Sequence, residues 1–303
     1  MSLNTIYEKC ISGIVCISSE GKNNTYSTSS GFFIDNKHIV TCSHCVGIKN
    51  RIFIDIPGCK IQEVDTIGVD GTADIAVLRI HYPIYGITPL CWSTDMKIGD
   101  QCVAIGSPSG DVQSISNAYI RDTSFYGSNI LPAVMESILI DGSAIGGNSG
   151  GPLLNMHGDV IGVIAYGYDS VSGGTMNGAV PSRYASSIVQ SIIYNNSNYI
   201  HGTLNIKVLP LYIHDAIFLG LDRVQGYMVT FKMGVSPVEE GDIITHVEVD
   251  DIKHEVGQMN SQRCIFSLIH MNAGKRVYIY TLNRKISYTI PSVSTTIPQN
   301  GVL

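Results

Sequence analysis

Ser149 sits in DGSAIGGNSGGPLL, Asp141 to Leu154, with Gly146, Gly147, Gly150 and Gly151 around it. An ordinary strand would not tolerate that density of glycine, because each one raises the entropic cost of ordering the chain. A loop whose backbone N–H groups must converge on a ligand would. With Gly147 and Ser149 donating into one concavity, the loop could stabilise the oxyanion formed when the Ser149 hydroxyl attacks a carbonyl. A serine hydroxyl is a weak nucleophile, so this chemistry demands a base and a group to orient that base.

Two further stretches offer them. TCSHCV, Thr41 to Val46, contains His44, and DGTADIAVLRI contains Asp74 immediately before an apolar run. Asp65 and Asp70 compete for the orienting role, but Asp74 alone stands where a strand can bury it against the histidine. Around His44 there is a second reading, since Cys42 and Cys45 form a C-x-x-C, the spacing of a redox pair or half a zinc site. No second C-x-x-C and no clustered histidine pair completes such a site, so neither a metal nor an organic cofactor is expected. His44 is the member of the trio expected to matter.

These residues need rigid elements to hold them. GIVCI, GFFID, HIVTC, RIFIDI, IAVLRI, QCVAIGS, SILID and DVIGVIAY are short β-branched runs broken by Gly, Asn, Asp or Ser, the pattern of an all-β sandwich or barrel. Only Tyr184 to Asn195 recurs at helical spacing before a polar linker, NNSNYIHGT. Beyond it the chain reads as strands and two short helices, DAIFLGL and MNSQRCIFSLIHMN, the latter with a core-facing stripe of Ile265, Leu268 and Ile269. At 303 residues the chain exceeds a usual single core, and two domains are expected, residues 1–196 and 197–303.

A net charge of -6 and no Lys/Arg block argue against nucleic acid and anionic membranes as partners. No apolar stretch approaches the length of a membrane span. The first residues lack the features of a signal peptide, and the cysteines read as mostly buried thiols; the expectation is a cytoplasmic or otherwise intracellular protein, or one packaged in a particle.

GFFIDNKHIVTCSHCV, GTADIAVLRI, IGDQCVAIGSPSG and GNSGGPLLNMHGDVIGV, in that order, resemble the trypsin-like proteases of the HtrA/Deg family over roughly residues 25 to 190. The resemblance implies a chymotrypsin-like double β-barrel with His44 as general base, Asp74 as its orienting carboxylate, Ser149 as nucleophile and the Gly147 and Ser149 amides as oxyanion hole. It implies that Ile164, Ala165, Tyr166 and Gly167 pair with substrate backbone. Ser143, where a trypsin-type pocket would be acidic, with Ala144, Ile145 and Ala165, suggests a preference for small or aliphatic residues before the cut. Cys45 holds a half-cystine position whose usual partner aligns with Ser29, so no bridge is expected. Residues 201 to about 292 resemble a PDZ domain of the HtrA type, an α+β fold in which Gly202, Thr203, Leu204, Asn205 and Ile206 would bind a C-terminal peptide; Asn205 stands where the family usually has glycine. The whole implies an endopeptidase acting on unfolded or damaged protein, in a homotrimer or a multiple of it. A protease-fold scaffold or chaperone working through its peptide-binding domain is the rival.

Overall fold

The computed structural model describes residues 1–21, 25–47, 51–107, 114–125, 136–142, 148–169, 175–257 and 264–294. The chain divides into two compact units. One takes Met1–Thr123 and Ser137–Tyr199; the other takes Ile200–Ser294 together with Ser124, Phe125 and Glu136.

The first unit is mainly β, as expected. Strands β1 (Ile14–Glu20), β2 (Tyr26–Phe33), β3 (His38–Thr41), β4 (Ile52–Asp55), β5 (Gln62–Asp70) and β6 (Ile75–Ile80) close into a barrel in the order β1-β2-β3-β6-β5-β4. Strands β7 (Gln101–Gly106), β8 (Ser114–Phe125), β9 (Ser137–Asp141), β10 (Pro152–Leu154), β11 (Val160–Asp169) and β12 (Thr175–Pro181) close a second, ordered β10-β11-β12-β9-β8-β7. Inward-facing residues fill each barrel. Val15, Ile17, Phe33, Ile39, Ile54 and Leu78 pack in the first, and Ile120, Ile138, Ile140, Leu153, Ile161 and Ile164 in the second. Full burial of each such side chain contributes roughly 1.5–3 kcal/mol.

Among the described residues, three α-helices accompany the barrels. Helix α1 (Leu3–Cys10) starts at Ser2, whose hydroxyl accepts the Thr5 N–H, and buries Ile6 and Cys10, four residues apart. Helix α2 (Ser43–Val46) is one turn inserted after β3. Helix α3 (Ser182–Asn195) matches the helix read from the sequence; it buries Tyr184, Ala185, Ile188, Val189 and Ile192 and stops at Asn196 in the left-handed conformation, a common helix terminator.

In the second unit, β13 (Ile200–Gly202) pairs with β20 (Ser292–Ser294), while β14 (Ile206–Pro210), β15 (Tyr227–Lys232), β16 (Ile243–Val249), β18 (Arg276–Thr281) and β19 (Lys285–Thr289) form an antiparallel sheet, with β17 (Ile252–Glu255) as a hairpin partner of β16. Helices α4 (Ile213–Phe218) and α5 (Ile265–His270) complete it. Tyr227 is wholly buried at the centre of this core, and its hydroxyl donates to the Gly257 carbonyl at 3.1 Å, so the one polar atom carried inward is satisfied. Ile265, Leu268 and Ile269 join the same core, as their stripe suggested. Among the described residues, no helix is long and apolar enough to cross a membrane.

Candidate active site

Strands β3 and β6 run antiparallel with Thr41 opposite Ala76. The turn leaving β3 and the turn entering β6 therefore meet at one end of the ladder. Helix α2 carries His44 in the first turn, and Asp74 closes the second. Asp70 shapes that second turn: its Oδ1 accepts the N–H groups of Thr72 at 2.9 Å and Ala73 at 3.1 Å, an Asx-type turn. The chain then passes through Asp74 at φ 56, a left-handed conformation that aspartate tolerates better than most residues.

Asp74 is buried and its carboxylate is engaged on both oxygens. Oδ2 lies 2.7 Å from His44 Nδ1, while Oδ1 accepts the Ser43 hydroxyl at 2.8 Å and the His44 N–H at 3.0 Å. Neither competitor reaches the histidine's place in this way. Asp70 is occupied with its own turn, and Asp65 pairs with His81 at 3.0 Å and Arg79 at 3.9 Å on the surface. Burial alone would lower the pKa of His44, but the bond to Asp74 and the adjacent Cys45 sulphur outweigh it and hold the imidazole well above its ordinary range. Cys45 moves the opposite way. The hydrogen bond from Cys42 lowers its pKa, burial opposes, and His44 lowers it further. Cys42 is raised, chiefly by desolvation and then by Cys45 and Asp74.

Ser149 is tethered next to this turn by its backbone. Its carbonyl accepts the Ser30 N–H at 2.9 Å and lies 3.8 Å from the Cys45 Sγ. Gly150 follows at φ +83, donating its N–H to the Ile164 carbonyl at 2.7 Å. A Cβ on Gly150 would fall 2.1 Å from Thr41 Oγ1 and 2.3 Å from the Ser30 carbonyl, so both backbone conformation and space require glycine there. Thr41 Oγ1 in turn donates to that carbonyl at 2.8 Å. Ser43, Thr41 and Ser30 are the supporting residues that sequence reasoning missed. Ser43 gave a signal only by adjoining His44, and the other two gave none.

The remaining expected site residues divide. Ser143, Ala144, Ile145 and Gly147 lie outside the described residues. Ile164 and Ala165 are buried in β11; Gly167 is exposed and follows a bulge between Ile164 and Tyr166. Strand β10 pairs with β11 only as far as Val163. From Tyr166 to Asp169 the strand pairs β12 on one side, and among the described residues no strand covers the other.

In the second unit, Gly202 belongs to the packing: a Cβ there would lie 2.2 Å from the Ile269 carbonyl at α5. Thr203 Oγ1 accepts the Asn205 N–H at 3.1 Å, and Leu204 and Ile206 are buried. Asn205 has φ 53, which accounts for asparagine in a place where glycine is usual. It is held by the Met233 N–H donating to its carbonyl at 2.8 Å. Strand β14, which follows, ends its sheet and pairs only β15 among the described residues.

A family model described as the trypsin-like peptidase domain matches residues 29–163, the stretch that carries His44, Asp74 and Ser149. The chain carries a trypsin-like peptidase domain. Its double barrel is the chymotrypsin-like one, shared with an HtrA-type protease AlgW solved with a tripeptide (TM-score 0.77, 22% identity, 98% of this chain and 99% of that one). Among curated proteins, this chain is 30% identical over 280 residues to a probable periplasmic serine endoprotease DegP-like of Chlamydia trachomatis, covering 90% of this chain and 55% of the relative. It is 26% identical over 275 residues to one of Marinomonas sp., covering 86% and 57%. The chain thus spans a little over half the length of these relatives. Their names correct one expectation. An intracellular location was argued from the lack of a leader in the first residues, which says nothing about where a chain works, and relatives named as periplasmic point the other way.

Proposed function

We propose that the protein is a serine endopeptidase of the DegP/HtrA kind, with Ser149 as nucleophile, His44 as general base and Asp74 as the group that orients it. The observation that carries this reading is the 2.7 Å contact of Asp74 with His44 Nδ1, which assigns Nε2 as the nitrogen that takes the proton. Ser149 Oγ attacks the scissile carbonyl and gives its proton to Nε2; the imidazolium, stabilised by Asp74, passes it to the leaving amine. Water then repeats the sequence on the acyl-enzyme. The Ser149 and Gly147 amides are assigned to the oxyanion, and the uncovered side of β11 to the substrate backbone.

The pocket reading, small or aliphatic residues before the cut, rests on Ser143, Ala144, Ile145 and Ala165. The second unit is read as PDZ-like. A C-terminal peptide would add as a strand to β14, its carboxylate meeting the amides from Gly202 to Asn205. Unfolded proteins are the proposed substrates, a homotrimer or a multiple of it the assembly, and the compartment that of the named relatives.

Digestion of an unfolded, casein-like protein by the wild type and by Ser149→Ala, with new termini mapped by mass spectrometry, tests this. Fragments are expected from the wild type alone, with Val, Ile, Ala or Leu before the cut. Cleavage by Ser149→Ala would remove the serine mechanism, and basic residues dominating the cut sites would remove the pocket assignment.

A further inference from the structure

The spacing of the C-x-x-C spoke against a metal because two cysteines are only half a zinc site. Folding supplies a third ligand. The ligating atoms of Cys42, His44 and Cys45 all lie within 4.8 Å of one another, in the one such cluster among the described residues. Zn–S bonds of about 2.3 Å and a Zn–N bond of about 2.0–2.1 Å place tetrahedral ligand atoms roughly 3.5–3.8 Å apart. The three, with whichever ring nitrogen of His44 lies nearer, therefore need to close by up to about 1.3 Å, a movement asked of the side-chain torsions.

The cluster has the other features that such a site needs. Both thiols are outside any disulfide and buried. The Cys45 N–H donates to the Cys42 carbonyl at 3.2 Å, so one turn brings the two residues together. The Cys42 thiol now donates to the Ile164 carbonyl at 3.2 Å and the Cys45 thiol faces the Ser149 carbonyl at 3.8 Å, contacts that thiolate ligation would replace. Asp74 against His44 Nδ1 at 2.7 Å is the carboxylate–histidine arrangement that orients a metal-bound imidazole and leaves Nε2 to ligate. The His44 side chain is 29% exposed, which gives an ion its way in. Sulphur and imidazole together select zinc over magnesium or calcium. Zn2+ binds two thiolates and a neutral imidazole, two thiol protons leave to solvent, and the ion with its three ligands carries no net charge beside the Asp74 carboxylate that orients His44.

We propose that Cys42, Cys45 and His44 form a zinc-binding site, with a fourth position left to water, and that occupancy silences the peptidase by taking the electron pair of His44 Nε2. Binding stands on the cluster itself; the silencing rests on the function proposed above. Three protein ligands with an open fourth position suit an exchangeable ion rather than a permanent structural one.

Cobalt(II) separates the two claims. The full chain carrying Ser149→Ala, reduced with a phosphine and freed of metal, is titrated with Co2+ and followed by absorption. Thiolate-to-cobalt charge-transfer bands are expected, saturating at one equivalent and displaced by Zn2+. Adding Cys42→Ser or Cys45→Ser should diminish the bands and weaken binding by more than about tenfold. His44→Ala, which keeps both sulphurs, should retain thiolate bands with altered ligand-field absorption. Absence of thiolate bands, or bands indifferent to both cysteine substitutions, overturns the site. In the active protein, Zn2+ should stop cleavage and a chelator restore it, with half-inhibition moved more than about tenfold upward in Cys45→Ser. Unmoved half-inhibition shows zinc acting elsewhere and overturns the silencing. A wild type that never cuts overturns the peptidase reading, while the cobalt spectrum still decides the site.

Discussion

Asp74 and Asn205 form an instructive pair, one in each unit. Both are non-glycine residues in the left-handed backbone region, at φ 56 and φ 53, and both sit in loops that lead into a strand. They differ in what the side chain does. Asp74 turns its carboxylate on His44 and Ser43, whereas Asn205 keeps its side chain within its own neighbourhood, with Thr203 Oγ1 3.2 Å from its Oδ1 and the Val235 carbonyl 3.5 Å from its Nδ2. The same backbone conformation thus carries, once, a carboxylate turned on a histidine and, once, an amide kept within its own loop.

That contrast is sharpest in Asp74→Asn. Asparagine accepts the backbone conformation, so the fold should hold, while the lost charge and altered hydrogen bonding should lower kcat/KM by about 10^4-fold on an unfolded substrate; a loss below tenfold would break the comparison. Ser43→Ala removes a donor from a buried carboxylate and should cost about 1.5–3 kcal/mol of stability, read from urea unfolding. Asn205→Ala should cost about 1–2 kcal/mol because alanine resists a positive φ, and Asn205→Gly should cost less, because glycine adopts a positive φ without strain. If the two Asn205 substitutions are equally damaging, the side chain there has a function after all. The smallest effect expected is in Cys45→Ser. Cys45 helps to raise the His44 pKa, so its removal lowers that pKa, the base becomes free at lower pH, and the acidic limb of the kcat/KM profile moves toward acid. A limb that stays in place, or moves toward alkali, would separate Cys45 from the histidine's titration.

Strand legibility followed packing. Ile75–Ile80 and Ser137–Asp141 were readable to the residue because they are nearly continuous apolar runs, buried on both sides. Strand β8 was missed: most of its residues are exposed or half-buried, with Ala118 and Ile120 the two that reach the core, so its sequence carries little apolar signal. Helix α1 escaped for a related reason. Its buried face is two residues, and its start depends on Ser2, a cap too ordinary to read alone.

The site shows the same division between what spacing determines and what folding adds. Asp74 could be chosen over Asp65 and Asp70 because the apolar run after it marks a buried strand entry. The role of Asp70 in building the turn, the support from Ser43, and the approach of His44 to both flanking sulphurs depend on which way side chains point around one short turn. No periodicity encodes that. Asn205 was noticed as a departure, but its meaning lay in a dihedral angle.

From Tyr166 to Asp169, β11 pairs β12 on one side, and under the proposed function its other side would offer backbone amides and carbonyls to a substrate main chain. A protein whose strands are already paired has none to spare, and a proline presented there brings no hydrogen to share. Under the proposed function, selection at that rim would be a census of unclaimed backbone, asking whether a segment is available before asking which side chains it bears.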